Sequence, residues 1–215
     1  MSDPAFAKFQ EIMLWYFAGA GPDVGLPNEQ SDAGRIRSVE QLSNVELPTD
    51  IRYLFERYDG QTEGSYGCFV GHGLMSVEQI LDSLEISRSF RAPPYGTCSD
   101  ESEFSDLLDE ANFSSFPKDA IKLTYFNPKW VPIIQDYGGN YIGVDLDPGP
   151  QGVNGQIIIF GRDEDHMYVL AESWEQFLDL MLDQISKRPA ELLHDEHLHD
   201  YLKPIVTAED RSEHG

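Results

Sequence analysis

The stretch GGNYIGVDLDPGPQGVNGQIIIFGRD, residues 138–163, decides the fold. Its seven glycines separate apolar segments that alternate with a period of two, which is the pattern of β-strands joined by turns. NYIGVD and QIIIF are predicted strands, and the paired glycines of the DYGGN turn before them are expected to supply positive φ. WVPIIQ at 130–135 precedes them as a strand whose proline favours an edge position or a bulge, and MYVLA at 167–171 follows. The stretch therefore predicts an antiparallel meander.

Helical patterns lie on both sides of this meander. Asp3 followed by Pro4 is typical of a helix start, with a side-chain cap and a residue whose φ is already helical. SVEQI at 76–80 and SWEQF at 173–177 are capping boxes that open helices, the second of which is predicted to close the meander. The pattern as a whole predicts an α+β fold, a mostly antiparallel sheet flanked by helices.

A further helix is predicted within LPTDIRYLFERYDGQ, residues 47–61. Four apolar residues follow the i, i+3, i+4, i+7 spacing of one helix face: Ile51, Leu54, Phe55 and Tyr58. Gly60 stands where a helix commonly ends, so we expect it at the C-terminal cap.

The chain is predicted to contain one main domain at residues 29–187. An N-terminal helix and loop at 1–28 are expected to pack on it, and a C-terminal tail at 188–215 to follow it. Residues 93–119 are predicted to be an exposed insertion, because 6 of the 11 residues at 100–110 are acidic.

The composition restricts the class of partner. Thirty-eight acidic residues against 15 basic ones give a formal net charge of −23, which repels nucleic acids and anionic membranes and attracts basic partners. There is no apolar run of about 18 residues that would span a membrane, and the N-terminus lacks the pattern of a signal peptide. The two cysteines are too few for a disulfide framework. We therefore expect a cytoplasmic protein that binds neither nucleic acid nor membrane.

The glycine-rich stretch matches no nucleotide or calcium motif. A P-loop requires a lysine, and none occurs between residues 130 and 186. A dinucleotide fingerprint requires its glycines between a strand and a helix, whereas strands are predicted on both sides here. Asp145 and Asp147 begin the pattern of a calcium loop, but prolines follow and Gln156 stands where the closing glutamate belongs. The glycines are therefore interpreted as turn residues.

Other residues with chemical potential lack a supporting pattern. Three histidines of the HDEHLHD segment have spacings that zinc sites use: His194, His197 and His199. They lie past Pro189, where a solvated tail is expected, so no metal ligand is assigned. Cys68 and Cys98 are expected to be buried rather than nucleophilic. His72 is flanked by glycines that would expose it, but no partner motif supports catalysis. No catalytic residue and no cofactor is assigned.

The order of segments resembles a known family. Four segments resemble the SUKH superfamily: LPTDIRYLFERYDGQ at 47–61, GLMSVEQI at 73–80, the long stretch from KWVPIIQ to FGRD at 129–163, and AESWEQFLDLMLD at 171–183. More closely, they resemble its branch named for the fungal cell-wall assembly regulator and killer-toxin resistance protein. The resemblance extends from about residue 29 to about residue 187.

The resemblance implies an α+β domain without known catalytic activity. Bacterial members of the superfamily are inferred to be immunity proteins that neutralise toxins by binding them, and fungal members regulate cell-wall synthesis through protein contacts. Because few residues flank the shared region, a compact member of the bacterial type is expected.

Three hypotheses follow for the function. The first is a non-enzymatic immunity protein whose acidic surface meets a basic toxin domain. The second is a regulatory or scaffold protein linked to cell-wall assembly, and the third is a small-molecule binder or enzyme with a pocket assembled from distant residues. Residues that edge the meander are the predicted partner-binding set: Asp136, Tyr137, Asn140, Asp145, Asp147, Arg162 and Asp163. For Asp145 and Asp147, an alternative role is to hold their loop by hydrogen bonds to backbone N–H groups.

Overall fold

The computed structural model describes residues 3–29, 33–64, 66–89, 113–124, 127–194 and 197–213. Its helices are α1 (Pro4–Ala20), α2 (Ala33–Ser43), α3 (Thr49–Phe55), α4 (Val77–Ser89), α5 (Trp174–Lys187), α6 (Pro189–His194) and α7 (Leu198–Glu213). Its strands are β1 (Pro27–Glu29), β2 (Tyr58–Gln61), β3 (Gly73–Leu74), β4 (Ser114–Phe116), β5 (Trp130–Gln135), β6 (Asn140–Asp145), β7 (Gln156–Gly161) and β8 (His166–Ala171).

The predicted meander is the centre of a six-stranded sheet. Within the described residues the strand order is β3-β5-β6-β7-β8-β4, and β1 pairs with β2 in a separate two-stranded sheet. All neighbours in the large sheet are antiparallel except β4, which runs parallel to β8. The register between β5 and β6 shifts between Pro132 and Ile134, in agreement with the predicted bulge at the proline. The predicted α+β class, with a mostly antiparallel sheet, is confirmed.

Both faces of the sheet are covered by apolar side chains. Ile157 and Ile159 of β7 enter the main core, while Ile158 and Phe160 enter a smaller cluster that also contains Ile121. The alternation of QIIIF thus sends successive side chains to opposite faces, as in any strand, but neither face is left to solvent.

Stacked aromatic rings in the main core join distant parts of the chain. Phe9 of α1 lies 5.6 Å from Phe69, and Phe69 lies 5.9 Å from Phe177 of α5, centroid to centroid. Trp174 lies 5.5 Å from Phe177, and all four side chains are fully buried. Large buried rings contribute much of the burial energy of a core, so α1 is an integral part of the domain.

The helix starts follow the capping chemistry that the sequence predicts. The Asp3 carboxylate accepts from the Phe6 N–H at 3.2 Å. At α4 the capping box is reciprocal, because Gln79 N–H donates to Ser76 Oγ at 3.2 Å and Ser76 N–H donates to Gln79 Oε1 at 2.8 Å.

The helix predicted to end at Gly60 is shorter in the structure. It ends at Phe55, and the residues from Tyr58 onward form β2, which pairs with β1. Gly60 has φ +72° inside this strand, and a Cβ there would lie 2.9 Å from Ser76 Cβ. Close approach to the start of α4, rather than helix capping, therefore requires this glycine.

The C-terminal segment differs from the solvated tail that the sequence predicts. Residues 189–194 and 198–213 form α6 and α7, and Leu198 and Leu202 are fully buried. Tyr201 adds a hydrogen bond from its hydroxyl to Gln184 Oε1 of α5 at 3.2 Å. The apolar face of α7 thus packs against the domain.

The predicted acidic insertion at 93–119 falls largely outside the described residues. Its last part is described and contains β4, which supplies one edge strand of the large sheet. Residues 114–116 are therefore part of the sheet rather than of an exposed loop.

A buried carboxylate anchors the long loop between β6 and β7. Asp145 is fully buried and accepts from Asp147 N–H and from Gln156 Nε2, each at 2.9 Å. Gln156 Nε2 also donates to the Ala120 carbonyl at 3.0 Å. The network therefore holds the loop against the segment that covers the second face of the sheet.

We expect Leu202→Ala to lower the free energy of unfolding by about 2–5 kcal/mol, because it removes fully buried methyl groups from the contact between α7 and the domain. Urea unfolding measures this, with Leu14→Ala as the matched control. Leu14 is 61% exposed, so its truncation should change stability by no more than about 0.5 kcal/mol. Equal, small effects for both variants would mean that α7 does not pack on the domain.

We expect the stability of the protein to depend on pH through Asp145. Burial raises its pKa from 3.8 to about 6, although hydrogen bonds from Asp147 N–H and Gln156 oppose the shift. The folded state therefore holds this proton more tightly than the unfolded state, so the contribution is present below pH 3.8 and is lost as the pH rises toward 6. Relative to Asp145→Asn, the wild type should lose about 3 kcal/mol across this window.

Asp147→Asn is the control for that measurement. Partial burial raises the pKa of Asp147, but hydrogen bonds from Lys122 and Asn127 outweigh it and lower the pKa overall. Relative to this variant, the wild type should gain stability as the pH rises through the ordinary aspartate range. A wild-type minus Asp145→Asn difference that stays constant or increases with pH would contradict the expectation.

Candidate functional site

The predicted partner-binding residues divide between the two ends of β6. Asp136, Tyr137 and Asn140 lie at the turn that joins β5 to β6, whereas Asp145 and Asp147 lie at the opposite end. Five residue steps of strand separate Asn140 from Asp145, or about 17 Å. The structure therefore places the set in two separate groups rather than in one small patch.

The turn group is held together by hydrogen bonds. Asn140 Nδ2 donates to Asp136 Oδ2 at 2.8 Å and to Asp163 Oδ2 at 3.4 Å. Asn140 Oδ1 accepts from Asp163 N–H at 2.8 Å, and Arg162 Nε lies 3.4 Å from Asp163 Oδ1. Asn140 is buried, so it ties the β5–β6 and β7–β8 turns together while Arg162 and Asp163 remain exposed.

Asp136 remains ionised in this arrangement. Partial burial raises its pKa, but hydrogen bonds from Asn140 and the Gly138 N–H outweigh burial and lower the pKa overall. The Gly138 N–H donates to Asp136 Oδ1 at 2.6 Å and the Asn140 N–H at 3.0 Å. The carboxylate thus shapes the turn as an acceptor of backbone donors.

The opposite group has a structural role. Asp145 is fully buried, so the prediction that it contacts a partner is wrong for this fold, and its bonds match the alternative role of holding the loop. Asp147 is more exposed, but its Oδ1 lies 2.6 Å from Lys122 Nζ and 3.8 Å from Lys129 Nζ. Its charge is therefore already paired within the chain.

Tyr137 differs from the rest of the turn group. Tyr137 is 60% exposed, and its φ of +64° lies in the left-handed region that residues other than glycine and asparagine seldom adopt. Gly139, at φ +102°, supplies the second positive φ of the turn, so one of the two paired glycines has the predicted role, and Tyr137 rather than Gly138 supplies the other positive φ. Tyr137 thus combines an exposed aromatic side chain with a backbone conformation that residues other than glycine seldom adopt.

Tyr137 is one of the residues that line a groove of about 680 Å³. We call this the Tyr137 groove and define it by its lining residues: Asn28, Gln61, Thr62, Glu63, Gly64, Leu74, Ser76, Glu78, Gln79, Asp82, Gln135 and Tyr137. One wall comes from the β1–β2 sheet and the residues after β2, and the other from the start of α4. The end of β5 and its turn complete the groove.

Gln61 joins the walls of the Tyr137 groove. Its Oε1 accepts from Cys68 N–H at 2.9 Å and from Leu74 N–H at 3.0 Å, and its Nε2 donates to the Tyr137 hydroxyl at 3.1 Å. The Tyr137 ring crosses Gly73, where a Cβ would lie 2.4 Å from the Tyr137 hydroxyl. The position of the exposed tyrosine is therefore set by contacts with two distant segments.

The sequence pattern indicates Tyr137 but not the groove around it. Gln61 and Tyr137 are 76 residues apart, and the acidic residues of the opposite wall belong to α4. No local pattern links these positions, since the groove exists only where β2, α4 and the β5 turn come together.

His197 and His199 differ in burial, and the side chain of His194 lies outside the described part of the chain. His197 is exposed, whereas His199 is buried with its Nδ1 3.2 Å from Glu164 Oε1. The His199 ring lies 5.2 Å from the ring of His72, which is itself buried rather than exposed by its flanking glycines. Burial lowers the pKa of His72 to about 4, and the neighbouring His199 adds to this effect. This pair of rings joins α7 to the segment before β3.

The remaining reactive groups in the described part of the chain are either buried or not grouped into a metal site. Cys68 is buried, as expected, and burial raises the pKa of its thiol to about 12, so it is not a thiolate near neutral pH. Cys98 lies outside the described residues. No three His, Cys, Asp or Glu side chains of the described ranges come together as a metal site. None of the helices described is long and apolar enough to cross a membrane.

Comparisons with known proteins agree with the resemblance seen in the sequence. The profile of the SMI1 / KNR4 family (SUKH-1) matches residues 31–180. The chain is 37% identical over 151 residues to the cell wall biosynthesis/cell cycle regulator smi1 of Schizosaccharomyces pombe. It is 33% identical over 174 residues to the cell wall assembly regulator SMI1 of Saccharomyces cerevisiae, and 31% identical over 175 residues to the glucan synthesis regulatory protein of Neurospora crassa.

These alignments cover most of this chain but a minor part of the relatives. They include 68%, 71% and 70% of this chain, respectively, and 29%, 34% and 32% of the three fungal proteins. The chain therefore spans about a third of the length of the curated relatives that it matches. The relatives are named as regulators of wall synthesis, not as enzymes. Together with the α+β fold described above, the profile match shows that the chain belongs to the SMI1/KNR4 (SUKH-1) family.

Proposed function

We propose that this chain is a protein-binding domain that acts in the regulation of cell-wall assembly and that contacts its partner through the surface around Tyr137. The family supports the regulatory part, since the related fungal proteins carry names of wall and glucan synthesis regulators. A cytoplasmic location is part of the proposal, because two cysteines and a net charge of −23 suit that compartment.

This proposal replaces the immunity function that was expected first. The relatives found are fungal regulators, and none of the three described carries a name that refers to a toxin. The expectation of a compact bacterial-type member lacks support for the same reason. The acidic composition, which favoured a basic toxin as partner, is equally compatible with another basic protein.

The single observation that carries the protein-binding part is Tyr137. Exposed aromatic side chains are common anchors of protein interfaces, since they supply a large contact area at small conformational cost. Here the ring is positioned by Gln61 and lines an open groove. If Tyr137 served only its own turn, glycine would serve equally well at this position and without backbone strain. We therefore assign the contact with the partner to the tyrosine side chain.

A chimera tests the regulatory part. In Schizosaccharomyces pombe, the segment of smi1 that aligns with this chain is replaced by the chain, and growth is measured under cell-wall stress with Calcofluor White. We expect the chimera to grow like the wild type and the Tyr137→Gly chimera to be sensitive, although Gly suits φ +64° and should preserve the fold. A stably accumulated chimera that fails to protect the wall would overturn the regulatory proposal.

Photo-crosslinking tests the binding part. A benzophenone amino acid at position 137 is expected to form an adduct with a protein of wall synthesis or its regulation, identified by mass spectrometry. The matched control places the same group at position 14, where Leu14 is equally exposed on α1. The same adducts from both positions, or none from position 137, would contradict binding at the surface around Tyr137.

A further inference from the structure

We propose that the Tyr137 groove binds an extended segment of a partner protein through lysine or arginine side chains of that segment. The inference rests on the proposed protein-binding function and adds the chemistry of the partner. It follows from the charges of the lining residues, from the hydrogen-bonding groups of Gln135 and from the exposed ring of Tyr137.

The charge of the lining has one sign. Three carboxylates line the groove, Glu63 from the segment after β2 and Glu78 and Asp82 from α4, and none of the lining residues is lysine or arginine. All three carboxylate residues are exposed. An anionic ligand would meet repulsion from both walls, whereas a cationic side chain would meet a carboxylate on either side.

One of these carboxylates already binds a guanidinium group. Arg35 of α2 lies with its Nη2 3.4 Å from Glu78 Oε2 and its Nη1 3.5 Å from Asp59 Oδ2. The rim of the groove therefore accommodates an arginine of the chain itself. Glu63 and Asp82 have no comparable partner among the described residues, so their charges are available to an external cation.

One lining residue of the groove, Gln135, offers hydrogen-bonding groups to a peptide backbone. Gln135, at the end of β5, is half-buried, and its side-chain amide has no hydrogen-bond partner within the described residues. A side-chain amide offers both a donor and an acceptor, as an extended peptide requires. In the same lining the Tyr137 ring provides a face for the aliphatic stem of a lysine or for stacking with a guanidinium group.

These features favour a protein segment over other cationic ligands. An open groove of about 680 Å³ is large enough for several residues of an extended chain. Its lining combines carboxylates with a hydrogen-bonding amide and an aromatic ring. A small polycation would use only the carboxylates and would gain nothing from Gln135 or Tyr137.

The test uses a fluorescein-labelled peptide with alternating arginine and serine residues, and fluorescence anisotropy at physiological ionic strength. Under these conditions charges more than about 8 Å apart are largely screened, so the overall net charge contributes little. The binding variant is Glu63→Lys with Asp82→Lys. The matched control is Asp165→Lys with Glu172→Lys, which changes two exposed carboxylates in the same way next to β8, on the far side of the large sheet from β3.

We expect the groove variant to weaken peptide binding about tenfold or more, and the control variant to weaken it less than threefold. A peptide with citrulline in place of arginine, which keeps the shape but not the charge, should not bind. Tyr137→Gly and Gln135→Ala should each weaken binding of the arginine peptide, while leaving binding of spermine unchanged. Thermal unfolding verifies that every variant is folded.

Other outcomes overturn the inference. Equal weakening by the two charge-reversal pairs would mean that the peptide responds to the net charge of the molecule, and equal binding of the citrulline peptide would exclude recognition of cations. Adducts at position 137 without any binding of the arginine peptide would preserve the proposed function and refute this chemistry. Groove binding by the peptide, together with a chimera that fails to protect the wall, would refute the regulatory function alone.

Discussion

The pairing of β6 with β7 is the constraint on which the rest of the structure depends. Six successive residue pairs, from Asn140–Gly161 to Asp145–Gln156, are matched without a shift of register. The outer neighbours are less regular, because the register of β5 shifts at Pro132 and that of β8 shifts opposite Ile157. A one-residue slip between β6 and β7 would exchange the two apolar faces of the sheet, so both the main core and the smaller cluster require this register.

Buried polar groups protect the same register at both ends of β6. At one end, Asn140 joins the β5–β6 and β7–β8 turns through Asp136 and the Asp163 N–H. At the other end, Asp145 and Gln156 join the long loop to the segment around Ala120. Buried amides and carboxylates accept only partners with matching geometry, so these contacts specify one arrangement of strands where apolar packing alone would tolerate several. Most of the predicted binding residues at the two ends of β6 therefore have a structural role, because they fix the strands and turns that position Tyr137.

We propose that the Tyr137 groove serves both the regulatory function inferred from the family and the protein binding inferred from the surface. The relatives are about three times as long as the stretch that this chain matches. The contribution that we propose for this domain is an acidic groove with a positioned aromatic ring. A net charge of −23 favours encounters with basic molecules, which agrees with the partner chemistry proposed for the groove.

The sequence by itself determined the strands of the meander, the helix starts at Asp3 and Ser76, and the family. These follow from interactions between residues that are close in the chain: the alternation of QIIIF, the turn residues and the reciprocal cap of Ser76 with Gln79. The tertiary structure alone decided that Tyr58–Gln61 is a strand, since β1 pairs with it and Ser76 leaves no room for a side chain at Gly60. It also decided that α7 is packed, because the apolar face of Leu198 and Leu202 is stabilised only by a surface built from other parts of the chain. The tertiary structure also decided the groove, because Gln61 and Tyr137 are 76 residues apart and no local sequence pattern indicates their contact.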